Sequence, residues 1–168
     1  MYKFSKMNIK KSTIKIFRNL FFNKKHLEIK GGELLEGNIK ISGAKNSALV
    51  LMAATILSKG QINLLNVPQI SDVLIMSKIL TRMGMNIKSK ANQLKIKTKE
   101  ISPPSEDLFF DLFHALRVSF FCIGPLLARF GTANIPLPGG CLIGSRPIDE
   151  HINSLKKLGV KFQFKNNY

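Results

Sequence analysis

The 168-residue chain reads as an α/β protein assembled from repeated strand–helix units. Three observations predict this. Short runs alternate apolar and polar residues, as in Leu27–Lys30, Asn38–Ile41, Ile62–Leu65 and Gln93–Thr98, the period of a strand with one buried face. Longer runs between them carry apolar residues at helical spacing and end on glycine. A block also recurs: Leu57-Ser58-Lys59-Gly60, a strand, a proline-containing loop, a helix and Met83-Gly84 return as Ala128-Arg129-Phe130-Gly131, a strand, a second such loop, a helix and Leu158-Gly159. Gly60 and Gly131 are 71 positions apart, and Gly84 and Gly159 are 75 apart. A repeat of that length suggests stacked α/β units. With 45% hydrophobic residues, the chain can build one real core.

Taken in order, residues 1–26 hold seven lysines and one arginine with no acid. They are read as a basic extension, expected to be disordered, ahead of a domain spanning 27–168. A targeting peptide shares the lack of acids, but here lysine outnumbers arginine and serine is sparse. An unstructured tail, or a true start at Met7 or later, is the preferred reading. Leu27–Lys30 is a strand turned by Gly31-Gly32, and Asn38–Ile41 is a second strand. A helix follows from about Ala44 to Ser58, stopped by Lys59-Gly60. Ile62–Leu65 is a strand, and Pro68 breaks the chain. Ser71 is expected to cap the next helix, with Asp72 offsetting its dipole. Gly84 ends that helix. Met85–Lys90 and Gln93–Thr98 form a hairpin around Ala91-Asn92. Pro103-Pro104 belongs to a linker. A third helix runs from Leu108 or Leu112 to Arg129, then a strand over Thr132–Pro136. A fourth helix covers Ile148–Leu158, and Val160–Phe164 is a last strand. The third helix is strongly apolar, but Arg117, Gly124, Pro125 and Arg129 leave no run of about 18 apolar residues, so no membrane span is expected.

The net charge of +16, from 26 Lys plus Arg against 10 Asp plus Glu, raises nucleic-acid binding as a class. The lysines are scattered through strands and turns, and no recognition motif or stacking aromatic pattern accompanies them, so no nucleic-acid partner is expected. Two cysteines, Cys122 in an apolar run and Cys141 in a loop, make no disulfide framework, and the three histidines lie too far apart to suggest a metal site. No metal and no cofactor are expected. A reducing cytoplasm fits, with an organelle as the alternative if residues 1–26 are a targeting peptide.

The chemistry concentrates in Leu137–Arg146, where Pro138, Gly139, Gly140 and Gly144 make a loop around Cys141. Glycines allow backbone to approach a ligand closely. A guanidinium at Arg146 suits phosphate, and a thiol near positive charge becomes a nucleophile or acid. The plain alternative is a turn holding a small buried cysteine. Lys45, at a helix start, is electrostatically awkward unless an anion sits beside it. Arg117, among apolar residues, needs a partner, and an ion pair with Asp107 or Asp111 would supply one.

Two stretches, Ser42-Gly43-Ala44-Lys45-Asn46-Ser47-Ala48-Leu49 and Leu137-Pro138-Gly139-Gly140-Cys141-Leu142-Ile143-Gly144-Ser145-Arg146-Pro147-Ile148-Asp149 with His151, resemble the UDP-N-acetylglucosamine enolpyruvyl transferases, also called UDP-N-acetylglucosamine 1-carboxyvinyltransferases. The resemblance runs from about Leu27 to Tyr168. Members of that family are longer, so the chain is expected to be an amino-terminal portion. The implied fold is part of an inside-out α/β barrel built from βαβαββ units, helices inside and sheets outside, with one complete unit and most of a second. Exposed apolar surface is expected where the rest of the domain would pack.

The resemblance implies transfer of enolpyruvyl from phosphoenolpyruvate to the 3-hydroxyl of UDP-N-acetylglucosamine, by addition and then elimination of phosphate. It implies those two molecules as partners and, for a split enzyme, a separate chain carrying the second domain. Cys141 matches the general acid. Lys45, Asn46, Arg117 and Arg146 match residues that hold phosphoenolpyruvate. Asn46, Arg117, Arg146, Pro147, Ile148, Asp149, Glu150 and His151 match the UDP-N-acetylglucosamine site, Glu150 through its backbone only. For Asn46 the plain alternative is a helix cap, and for His151 a capping or surface role. Asp72 is read as a helix cap alone. The chain departs from the family pattern at Leu108-Phe109-Phe110 and at Val118. The family's aspartate base and a further phosphate-binding arginine belong to its second domain, so this chain is expected to hold one wall of the site.

Overall fold

A computed structural model describes residues 7–8, 13–18, 25–32, 34–104, 112–113, 117–136 and 147–164. The chain divides into two compact units, Met1–Ile41 and Ser42–Tyr168.

In the first unit, β1 (Met7–Asn8) pairs antiparallel with β4 (Leu34–Leu35), and β2 (Thr13–Arg18) pairs antiparallel with β3 (Lys25–Lys30). β3 contains the strand read at Leu27–Lys30, in register Thr13↔Lys30 through Arg18↔Lys25. β1 and β2 lie within the stretch expected to be a disordered extension. Residues 38–41 are not a strand. Their alternation is real, but Ile39 and Ile41 are 75% and 55% exposed, so no sheet buries the apolar positions.

The second unit begins with α1 (Lys45–Ala54), continued by one 3₁₀ turn (Thr55–Leu57). β5 (Gln61–Leu65), α2 (Ser71–Arg82), β6 (Asn86–Lys90) and β7 (Gln93–Lys97) follow. The sheet order is β5-β7-β6, all antiparallel. Ile62, Ile96 and Ile87 lie side by side across it, pointing inward with Leu64 and Leu94. Lys95 and Lys88 stand opposite each other on the outer, exposed face.

Between this sheet and a second helical layer lies the core. Ala48, Leu49, Met52, Ala53 and Ile56 of α1 meet Val73, Met76, Ile79 and Leu80 of α2. On another side α1 packs against a 3₁₀ segment (Arg117–Cys122) that runs into α3 (Ile123–Phe130). α1 thus lies between α2 and the 3₁₀ segment, and the outer face of the sheet is exposed. The single long third helix read from the sequence is not continuous: its middle is wound more tightly. Pro125 explains the break, because it lacks an N–H and its ring clashes with a carbonyl four residues back, so it fits only in the first turn of an α-helix. Val50 and Leu51 on α1 and Leu74 on α2 are exposed apolar residues.

The repeat appears in the helix ends. After α2 the Gly84 N–H donates to the Thr81 carbonyl (3.0 Å) and the Met85 N–H to Leu80 (3.1 Å). After α4 (Asp149–Lys157) the Gly159 N–H donates to Lys156 (2.9 Å) and the Val160 N–H to Leu155 (3.1 Å). Both glycines are left-handed, at φ 99° and 91°, which is the paired-bond terminator that favours glycine. The strands expected at 132–136 and 160–164 join no ladder among the described residues. Alternation selects an extended backbone, but a strand also needs a neighbour's N–H and C=O groups in register.

Two positions tie the unit together. Asn66 adopts a left-handed conformation (φ 55°) and presents its carbonyl to Gly43, where a Cβ would overlap that oxygen. Arg129 donates to the carbonyls of Ile56 (2.6 Å) and Ser58 (2.7 Å), satisfying the orphan acceptors at the end of the α1 helical run.

Gly43→Ala is expected to destabilise the fold by roughly 1–3 kcal/mol, since backbone must move to admit the methyl; urea unfolding measures it. Arg129→Met keeps the length but leaves two carbonyls without their cationic donor, an expected loss of about 1.5–3 kcal/mol at an unchanged urea m-value. Cys122 is fully buried and its thiol is pushed up to about 12 from 9.0 by burial. It is therefore expected to resist alkylation until the chain unfolds. Its contribution to stability is complete below pH 9.0 and is lost as pH rises towards about 12, because only the unfolded thiol ionises in that window.

Candidate functional site

Lys45 is the first residue of α1. Ala44 precedes it in extended conformation, with no side chain capping the helix and no acid in its first turn. The N–H groups at this end are thus open to an anion. The Gly43–Asn66 approach sets the α1 start against the loop leading into α2. Across that junction Lys45 Nζ lies 2.9 Å from Asp72 Oδ2. The Ser71 hydroxyl donates to Asp72 Oδ1 at 3.4 Å.

This corrects the reading of two residues. Ser71 is not the cap of α2: Ile70 holds that position without a side-chain bond. Asp72 does sit in the first turn, as expected, but it is also the partner of Lys45. The signal for this pairing was present in the sequence: a lysine opening a helix that has no acid of its own, followed by a helix with one acid in its first turn. Only the packing of α1 on α2 joins the two.

Asn46 is the second residue of α1 and is exposed, so it is not the cap. Arg117 opens the 3₁₀ segment, half-buried and engaged with other groups. Asp107 and Asp111, its expected partners, lie outside the described residues. Cys141 and Arg146 lie outside them as well. Pro147 and Ile148 lead into α4, and Asp149 and Glu150 fill its first turn, exposed, where their charge complements the dipole. His151 packs edge-on to Phe120, ring centres 5.7 Å apart at 86°, and is tilted against Phe121 at 6.2 Å. Those aromatic contacts, which sequence reading did not anticipate, fasten the first turn of α4 to the segment that Arg117 opens. The described candidates therefore occupy three connected places: the start of α1, the 3₁₀ segment packed on α1, and the start of α4.

A cleft of about 850 Å³ runs between α2 and the β6–β7 hairpin, with Val73, Leu74, Ile87 and Leu94 in its walls and Lys78 and Arg82 among its polar groups. Among the described residues, none of the expected site residues lines it, and the lining holds no carboxylate, imidazole or thiol. Among the described residues no cluster of three His, Cys, Asp or Glu could hold a metal ion, and no helix is long and apolar enough to cross a membrane.

Comparison with known proteins bears on this arrangement. The chain is 54% identical over 142 residues to "UDP-N-acetylglucosamine 1-carboxyvinyltransferase 2" of Prochlorococcus marinus (strain SARG), covering 84% of this chain and 33% of that protein. It is 52% identical over 141 residues to the UDP-N-acetylglucosamine 1-carboxyvinyltransferase of Prochlorococcus marinus subsp. pastoris, covering 84% and 30%. The chain spans about a third of the length of the curated relatives it matches. In structure it resembles the enolpyruvyl transferase NikO from Streptomyces tendae, with a TM-score of 0.64 at 18% identity over 79% of this chain and 28% of NikO. That likeness shows the fold, and the mixed α/β unit with its three-stranded sheet is consistent with part of an α/β barrel. The sequence model of the EPSP synthase (3-phosphoshikimate 1-carboxyvinyltransferase) family matches residues 29–168, and the chain belongs to that family.

Proposed function

We propose that these residues form one wall of a site that transfers enolpyruvyl from phosphoenolpyruvate to the 3-hydroxyl of UDP-N-acetylglucosamine, the first committed step of peptidoglycan synthesis. The observation that carries this reading is Lys45: a half-exposed ammonium at an uncapped helix start, inside the stretch that resembles the transferases. The names of relatives about half identical over most of the chain support it.

In this reading Lys45 and the open N–H groups of α1 take the phosphate or carboxylate of the donor, where charge builds up as the tetrahedral intermediate forms. Asn46 bonds either substrate. Arg117, bidentate and permanently charged, holds an anionic group of donor or sugar nucleotide. Cys141 protonates the methylene carbon of the donor, and Arg146 neutralises phosphate beside it. Pro147 to Glu150 hold the uridine part, with His151 near the uracil. No cofactor is invoked, since proton transfer and charge stabilisation suffice for addition and elimination. The base that takes the sugar proton is not among these residues. In this reading the reaction takes place in the cytoplasm.

A second reading follows from the chain's spanning a third of its relatives: it binds donor and sugar nucleotide without turnover, alone or as half of a split enzyme. Phosphate release after adding a chain that supplies the other wall separates the readings: release supports transfer, and its continued absence supports binding without turnover. The chain alone is expected to bind phosphoenolpyruvate, weakened at least tenfold by Lys45→Gln as a charged contact is lost, and to release no phosphate until a second chain supplies the other wall. Unaltered binding by the variant would count against the site.

A further inference from the structure

The Lys45–Asp72 ion pair joins two helix N-termini, both positive ends of helix dipoles. Their first turns supply a single acid between them, Asp72. Its carboxylate is engaged at both oxygens, Oδ2 by Lys45 at 2.9 Å and Oδ1 by the Ser71 hydroxyl at 3.4 Å. The lysine side chain is 52% exposed and the aspartate 26%, so Lys45 is the member of the pair that solvent, or a solute, reaches more readily.

We infer that Asp72 is a resident counter-ion, which an incoming anion must displace from Lys45, and that it thereby decides which anions this site admits. The inference rests on the reading of Lys45 as the group that receives the donor's anion. A singly charged carboxylate gains little by replacing another carboxylate. A phosphate group brings nearly two charges and three acceptor oxygens, enough to occupy the ammonium and the open N–H groups of α1 together. Asp72 then raises the affinity an anion must bring in order to bind at all, and small monoanions, which gain little by the exchange, fall short of it. Its removal takes away a competitor and a repulsion; for a dianion about 6 Å away in a largely solvated site the repulsion alone corresponds to roughly tenfold in affinity.

The test titrates inorganic phosphate, and separately acetate, into the full chain, Asp72→Asn and Lys45→Gln, following the backbone amide resonances of Lys45, Asn46 and Ser47. Asp72→Asn is expected to bind phosphate about tenfold and acetate about threefold more tightly than the unaltered chain, because the relieved repulsion scales with the anion's charge. In the unaltered chain the side-chain carboxyl carbon resonance of Asp72 is expected to move with the same midpoint as the Lys45 amide, a readout that requires no variant to fold. Phosphate binding by Asp72→Asn equal to or weaker than that of the unaltered chain overturns the proposal, as does a carboxyl resonance that stays in place at saturation. Phosphate binding by Lys45→Gln equal to the unaltered chain instead refutes the assignment of Lys45 to the donor's anion, whatever Asp72 does.

Discussion

The start of α1 can lie against the loop entering α2 only because residue 43 has no side chain. Asn66, turned into a left-handed conformation, fills the space a Cβ would need with its own carbonyl oxygen. The contact is between two backbones, so it sets the distance between the two helix starts more rigidly than side-chain packing would. Lys45 stands two residues after Gly43, and Asp72 six after Asn66. Their ion pair follows from that approach, and with it the electrostatic character of the helix entrance.

The core supports this junction from behind. α1 buries one side against α2 and the sheet and another against the 3₁₀ segment, so a shift of α1 would disturb both layers at once. Arg129 secures the far end of the same helical run by bonding the carbonyls of Ile56 and Ser58. One end of α1 is thus closed by a guanidinium, while the other is left without a cap or an acid. A helix anchored at its C-terminal end and open at its N-terminal end suits the binding of an anion, because the open N–H groups are held in place before any ligand arrives.

Much of the candidate site was legible at the level of residue type. Ser42–Leu49 and the loop around Cys141 carry residues whose chemistry points to a phosphorylated, anionic substrate, and their spacing matched one family. The partner of Lys45 was harder to read. Asp72 in the first turn of a helix has a sufficient local explanation in the dipole, and local explanations hide long-range partners. The contact of His151 with Phe120 and Phe121 was hidden for a similar reason, since aromatic residues in an apolar run read as core.

By itself the sequence determined the α/β class, the places of α1, α2 and α4, the β6–β7 hairpin and the glycine stops after α2 and α4. These follow from apolar period, turn chemistry and the left-handed backbone that glycine accepts, all of which act within a few residues. Only the tertiary structure decided which alternating runs became strands. The sequence pattern is the same at 38–41 as at 93–97, yet only the latter finds neighbours on both sides. Tertiary structure also decided that the run before Pro125 winds as a 3₁₀ segment, and that the acid at Asp72 faces the ammonium at Lys45. Pairing, helix packing and ion-pair choice depend on groups distant in the chain, and a local pattern carries no record of which of them will meet.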